Sequence, residues 1–338
     1  MSDKKNIQNA VRYAILGASV SSILTVSVIY CSILQILLVP VLYTAHSFFG
    51  SGAKILIKTY NLSTKTDKFN TTHLLSYQIY SLVGIIAATF CVMYTDNIHR
   101  DVLLKFWPLL LLPEGLGVLL AALIKKEPEN QRQNTGSLFL VLQKIKKNFT
   151  LFIQICILHS FDHFTYYFAF VFINSFIPML TGKITYSCML KYNAAFMIFD
   201  LLLSIALIQY KKSITLVKKI SAILPFCICI CCIALVPLTM ATHSIFIVLV
   251  IRMLIVFMGT ICSCMFCNLA FQKSKKISED TTFVGFSFSY LIGSTLGKNF
   301  TPAAFFLFET TQNPYSPIML SCLICVISGI CAFYLNKK

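Results

Sequence analysis

Four side chains that can exchange protons or bind a polar ligand lie at helical spacing inside one apolar stretch. His159, Asp162, His163 and Tyr166 stand at positions i, i+3, i+4 and i+7 of the run ICILHSFDHFTYYFAF (residues 155–170). In an α-helix this spacing places all four on one face. A carboxylate beside histidines can exchange protons near neutral pH, because burial and neighbouring charges change the proton affinity of both groups. The stripe therefore indicates a proton path, although it could also only satisfy its own hydrogen bonds at a helix–helix contact.

Other ionisable residues also fall within apolar segments: Glu114, Asp200, Arg252, Lys298 and His46. A charged side chain at the middle of a membrane costs about 2.5–3.5 kcal/mol on insertion scales, so such residues normally face a cavity or a partner. Asp200 is interpreted equally well as a structural partner of Lys298 or as a substrate contact. Glu114, in the sequence PEGLG, either lines a cavity or bonds to a turn broken by the proline. His46 is interpreted as a helix-contact residue.

The spacing H-x-x-D-H also permits a metal interpretation. It resembles the inverted H-x-x-E-H motif of zinc peptidases, in which the Glu between two His ligands is the general base. The aspartate side chain is one methylene shorter than that of glutamate, and the neighbouring sequence offers no evident third ligand. The CxxC pairs at 264–267 and 322–325 lie inside apolar segments without a second ligand pair. A membrane metalloprotease is therefore a remote alternative, and we expect no enzymatic activity, no metal and no cofactor.

The composition identifies the class of protein that must position these residues. The chain is 57% hydrophobic and only 12% charged, with a mean hydropathy of +0.78, whereas soluble domains are about 25% charged. A membrane-spanning helix needs about 20 mostly apolar residues. The sequence thus predicts an all-α polytopic membrane protein of about ten transmembrane helices. These cover residues 11–30, 33–57, 72–94, 103–124, 149–175, 187–209, 215–238, 243–270, 282–308 and 315–335.

The distribution of basic residues gives the orientation. All but six of the 28 Lys and Arg residues lie on one predicted side of the membrane. The six others are Arg100, Lys105, Lys183, Lys191, Arg252 and Lys298. By the positive-inside rule, both termini are cytoplasmic. The net charge of +16 is accordingly assigned to helix-flanking cations and not to a nucleic-acid surface.

The longest polar interval divides the chain into three parts. Residues 125–148 form a cytoplasmic central loop between a four-helix bundle (residues 1–124) and a six-helix bundle (residues 149–338). In the second bundle, GSTLGKN has one residue too few between its glycines for a phosphate-binding loop. Gly293 and Gly297 are therefore predicted to let two helices approach closely.

The order of several motifs resembles that of the Major Facilitator Superfamily, specifically its metabolite–proton symporters, which include proline/betaine transporters. SDKKNIQNAV at the N-terminus is similar to the family's loop between helices two and three. FFGSGAKILIKTYNL resembles its fourth helix, and FWPLLLL followed by ALIKKEPEN its sixth. YYFAFVFINSFIPMLTG resembles the seventh, and GFSFSYLIGSTLGKNFTPAAFFLFETTQNPYSP the eleventh with the loop into the twelfth. The ten predicted segments would then be family helices three to twelve, with the first two lacking.

This resemblance implies two bundles that rock about a midplane site in the plasma membrane of a bacterium. The expected partners are the lipid bilayer, protons and a small polar solute, either an osmolyte or a metabolite such as proline/betaine or an organic acid. Since family helices seven and ten line the cavity, Asp162 and Arg252 are expected to meet there, with His163 beside them. Phe49 and Val39 stand where the family has an acidic residue and an arginine. A truncated paralogue that does not transport, or a split transporter with a separately encoded N-terminal fragment, is therefore an alternative.

Overall fold

The computed structural model describes residues 12–24, 27, 42, 83, 86, 138–209, 220–277 and 282–337. These residues belong to two compact units, of which the first contains the helix Arg12–Leu24 (α1). The second contains everything from Leu138 onwards and the candidate site. The predicted segments 33–57, 72–94 and 103–124 lie outside the described residues apart from three single positions, as do Glu114 and His46.

The second unit is built from helices that follow each other closely. They are α2 (Leu138–Lys147), α3 (Phe149–Tyr167), a π-helical segment (Phe168–Phe172), α4 (Ile173–Thr181), α5 (Tyr186–Gln209), α6 (Leu224–Thr242), α7 (Ile245–Ile277), α8 (Thr282–Lys298), α9 (Phe300–Thr311) and α10 (Ser316–Lys337). Helix α2 lies within the interval predicted as the central loop. Each of the six apolar segments predicted from residue 149 onwards is largely helical over its described residues.

Five helical stretches of the described part are long and apolar enough to cross a membrane. They are Phe149–Thr181, Tyr186–Leu207, Leu224–Thr242, Ile245–Ile277 and Ser316–Lys337. Helices α8 and α9 cover the remaining apolar segment and are separated by a single turn residue, Asn299. The predicted fold class, an all-α polytopic membrane protein, is confirmed.

A stack of phenylalanines runs through the long span formed by α3, the π segment and α4. Phe164, Phe168, Phe172 and Phe176 follow at intervals of four residues and are all fully buried. The rings of Phe172 and Phe176 are nearly parallel, with centroids 4.7 Å apart. Phe300 of α9 contacts the first three of the four rings. Aromatic pairs add about 0.5–1.5 kcal/mol each beyond the area they bury, so this stack ties α9 to the long span.

Helix α7 is the element against which the site is assembled. It packs against α3, α5, α6, α8 and α10, and most of its 33 residues are buried. A helix that is apolar on nearly every side is typical of the interior of a bundle. The polar side chains that α7 does carry therefore need partners on the neighbouring helices.

Candidate functional site

A small polar cavity lies where α3, the π segment, α5 and α7 meet. Its volume is about 50 Å³, which is room for a few water molecules at roughly 10–15 Å³ each. The polar side chains that line it are Asp162, Thr165, Tyr166, Asp200, Thr260 and Ser263. Two carboxylates from different helices therefore line one cavity.

Asp162 is held between α3 and α7. Its carboxylate accepts a hydrogen bond from the Ser263 hydroxyl, and its backbone carbonyl accepts one from Thr165 Oγ1 at 3.0 Å. Gly259 makes this approach of the two helices possible, because a Cβ atom there would lie 3.3 Å from Thr165 Cβ. Asp162 remains partly exposed towards the cavity.

Asp200 faces the same cavity from α5 and is only 5% exposed. It accepts a hydrogen bond from Thr260 Oγ1 at 2.5 Å. The same hydroxyl lies 2.8 Å from the carbonyl oxygen of Val256, one turn earlier in α7. A hydroxyl has one hydrogen and two lone pairs, so Thr260 can donate to either oxygen and accept from a protonated Asp200.

Arg252 lies fully buried in α7, two turns before Thr260. Its Nη1 donates to Asn174 Oδ1 at 2.8 Å, and its Nη2 donates to Asn193 Oδ1. The guanidinium carbon lies 4.8 Å from the ring centroid of Phe196 and 5.7 Å from that of Phe170. The expected contact with Asp162 is absent from these interactions; neutral amides take its place.

The site therefore has two levels on the same three spans. The acidic level contains Asp162 and Asp200, and the basic level contains Arg252. In α7, Arg252 precedes Thr260 by eight residues, a rise of about 12 Å. In α5, Asn193 precedes Asp200 by seven residues, a similar separation. Asn193 therefore contacts Arg252 at one level, and Asp200 contacts Thr260 at the other. The meeting of Asp162 and Arg252 expected from the resemblance fails because the two side chains stand at different levels.

The predicted polar stripe on α3 is divided between two neighbouring helices. His159 and His163 face α8, where the ring of Tyr290 lies 5.2 Å and 5.3 Å from theirs. Asp162 and Tyr166 face the cavity. At 100° per residue the four positions span an arc of about 100°, which is wide enough to meet two helices. The histidines are thus in a helix contact, and only half of the stripe lines the cavity.

Gly293 and Gly297 lie at the closest approach of α8 to α3. An added Cβ would lie 2.6 Å from His159 Cβ at the first position and 2.7 Å from His163 Cβ at the second. Even closer would be the backbone oxygens of Cys156 and Ser160. Lys298, which follows Gly297, is half-buried at the end of α8 and does not line the cavity.

The described part of the chain contains no group of three or more His, Cys, Asp or Glu side chains placed to hold a metal. The two histidines of the H-x-x-D-H sequence point to α8 while Asp162 points to α7, so the three do not converge as metal chemistry requires. The described cysteines are free thiols.

Four polar residues of the site were not anticipated from the sequence: Asn174, Asn193, Thr260 and Ser263. Hydroxyl residues are ordinary in apolar helices, where they bond to the preceding turn, so Thr260 and Ser263 carry no distinctive signal. The asparagines could have been found, because a buried amide inside a span requires a partner.

The described spans and the cavity between them define a polytopic helical membrane protein, and its fold is similar to that of a solved membrane transporter. The structure is similar to the crystal structure of the E. coli fucose:proton symporter FucP, with a TM-score of 0.66 and 15% sequence identity. That match covers 97% of this chain and 84% of the symporter.

A second solved structure is a bacterial homologue of the human lysosomal transporter Spinster, inward-facing and unoccupied. It matches with a TM-score of 0.48 and 11% identity, over 97% of this chain and 82% of that one. No protein-family model matches the sequence, and a search of curated proteins gave no significant match.

Proposed function

We propose that the protein is a proton-coupled transporter of a small polar solute, in which Asp162 and Asp200 carry the proton. The observation that carries the proposal is the pair of carboxylates on separate spans that line one cavity, each bonded to a hydroxyl. Carboxylates inside a membrane are costly and normally serve a polar pathway. The likeness to a proton symporter in fold supports the same function.

The hydroxyl partners suit a group that changes its protonation state. When Asp200 is ionised, the Thr260 hydroxyl donates to it. When Asp200 is protonated, its own hydroxyl donates to Thr260 Oγ1, and the Thr260 hydrogen turns to the carbonyl of Val256, 2.8 Å away. The hydrogen bond between Asp200 and Thr260 is then kept in both states, which avoids the cost of about 1–3 kcal/mol for an unpaired buried polar group.

The second carboxylate favours binding of a proton at the site. Two negative charges that line one cavity repel each other, so a proton shared between Asp162 and Asp200 stabilises the pair. A solute that enters the cavity or opens it to water changes this balance. Loading and release of the proton would thereby be linked to the solute, as symport requires.

We propose further that the chain works by alternating access in a bacterial plasma membrane, with both termini cytoplasmic. Residues 1–124 and 149–338 would form the two bundles, and residues 125–148 would connect them. The distribution of Lys and Arg supports this orientation, and osmolytes and organic acids are the solutes to examine first.

The test is solute-driven proton uptake into liposomes that contain the purified full-length chain and an internal pH-sensitive dye. We expect a subset of solutes to acidify the interior, and Asp162→Asn and Asp200→Asn each to abolish the signal. Glu309→Gln is the matched control, because it removes an exposed carboxylate outside the site. Acidification that persists in both Asn variants would overturn the proton role.

A further inference from the structure

Arg252 is a buried cation whose partners, within the described part of the chain, are neutral. The side chain is fully buried, its two terminal nitrogens donate to amide oxygens, and its Nε has no acceptor among the described residues. A guanidinium stays protonated at any physiological pH. A permanent charge inside a membrane span is costly unless it is neutralised or has a function.

The hydrogen-bond acceptors of the guanidinium are neutral amides, which a charged acceptor can replace. Asn174 and Asn193 belong to different spans, and each offers one uncharged oxygen. A carboxylate binds a guanidinium through two parallel, charge-assisted hydrogen bonds, which are about twice as strong as neutral ones. An incoming carboxylate can therefore replace one or both amides and also reach Nε.

The cavity and Arg252 have one side chain in common. Phe170 lines the cavity and also lies beside the guanidinium. It belongs to the π-helical segment Phe168–Phe172, and such segments often occur at functional sites in helices. The ring of Phe170 therefore lies next to both the cavity and the guanidinium.

We propose that Arg252 binds the carboxylate of the transported solute and that this solute is an organic anion without an adjacent ammonium group. The ammonium of an α-amino acid or betaine lies next to its own carboxylate and would be repelled by the guanidinium. Within the described part of the chain, the carboxylates of the site, Asp162 and Asp200, stand at the other level, about 12 Å away along α7. The inference rests on the proposed transport function.

The experiment measures binding directly, by solute-dependent thermal stabilisation of the purified full-length chain in detergent at constant ionic strength. Succinate and lactate are the anionic probes, proline is the zwitterion and fucose is the neutral probe. We expect at least one anion to stabilise the protein, with proline and fucose at least about tenfold weaker. Stabilisation by proline or fucose alone, or by none of the four, would overturn the proposal.

Two variants assign the binding to Arg252. Arg252→Gln should weaken anion binding at least about tenfold, as expected when a charge-assisted bond is lost. Lys191→Gln, on α5 near Asn193, removes an exposed positive charge and should bind as the wild type does. Unchanged anion binding in Arg252→Gln would refute the assignment.

A third variant keeps the arginine and supplies it with an internal anion. Asn174→Asp places a carboxylate at the oxygen that Nη1 already contacts, so the chain is expected to fold and the guanidinium to be neutralised. A solute site predicts at least about tenfold weaker anion binding, whereas a purely structural arginine predicts no change. Arg252-dependent binding without any solute-driven uptake would refute the transport function while leaving the anion site in place.

Discussion

The contact between α3 and α8 allows a quantitative test. At Gly293 an added methyl group would lie 2.6 Å from His159 Cβ, and closer still to the carbonyl oxygen of Cys156. Ordinary van der Waals contact begins at about 3.5 Å, so the helices would have to separate by about 1 Å. Neither neighbour is the end of a flexible side chain, since one is a Cβ atom and the other is backbone. We therefore expect Gly293→Ala to fall at the upper end of the 1–3 kcal/mol range for overpacking.

A gain in helix propensity opposes this cost. Alanine is favoured over glycine by about 1 kcal/mol in a helix interior, so the net destabilisation at Gly293 is about 2 kcal/mol. The matched control is Gly285→Ala in the same helix, where an added Cβ meets no atom of the described residues within 4 Å. The control gains the propensity and should stabilise by up to about 1 kcal/mol.

The assay is thermal unfolding in detergent, followed by a thiol-reactive dye that reports the exposure of buried cysteines. At about 2–4 °C per kcal/mol, Gly293→Ala should unfold roughly 4–8 °C below the wild type, while Gly285→Ala should unfold at or above it. Gly297→Ala should behave like Gly293→Ala, because its Cβ would lie 2.7 Å from His163 Cβ. Equal unfolding temperatures for Gly293→Ala and Gly285→Ala would refute the close contact.

Further outcomes follow from the other contacts. Thr260→Val removes the hydroxyl that bonds to Asp200 and should abolish solute-driven proton uptake at unchanged expression, whereas Thr260→Ser should retain it. Uptake in the Val variant would disprove the switching of the Thr260 hydroxyl between Asp200 and the Val256 carbonyl. Phe172→Ala leaves a cavity in the phenylalanine stack and should destabilise the chain by about 3–5 kcal/mol, measured as a lower unfolding temperature. Phe306→Ala, at a residue 67% exposed, is its control, and equal effects of the two would contradict the packing.

The sequence predicts much of the fold because membrane insertion depends on composition over long windows. Runs of about 20 apolar residues identify spans whatever their tertiary contacts, which is why every segment predicted from residue 149 onwards is largely helical over its described residues. The π turn at Phe168–Phe172 and the interruption at Asn299 have no comparable signal. Both features depend on local packing of side chains, and the spacing of apolar residues in the sequence does not indicate that packing.

The site is less accessible to sequence reasoning because it depends on which neighbour each part of a helix face meets. Spacing places His159 and Asp162 on one face of α3, and the structure keeps them there. That face meets α8 on one side and α7 on the other, so the two side chains have different environments. Residues whose spacing places them on the same helix face can therefore have unrelated roles.

The arrangement on α7 suggests how the two levels are coupled. Arg252 and Thr260 are fixed to one rigid helix, and Asn193 and Asp200 to another, so a shift of α5 against α7 changes both pairs together. An anion that draws Arg252 away from Asn193 loosens the basic level and with it the register that brings Thr260 to Asp200. Proton binding to Asp200 would then accompany solute binding through helix movement alone, because ionised Asp200 loses the Thr260 donor. Asn193→Leu removes the Arg252 link without touching Asp200, so it should reduce the dependence of uptake on the pH gradient. Unaltered pH dependence in that variant would show that the two levels work independently.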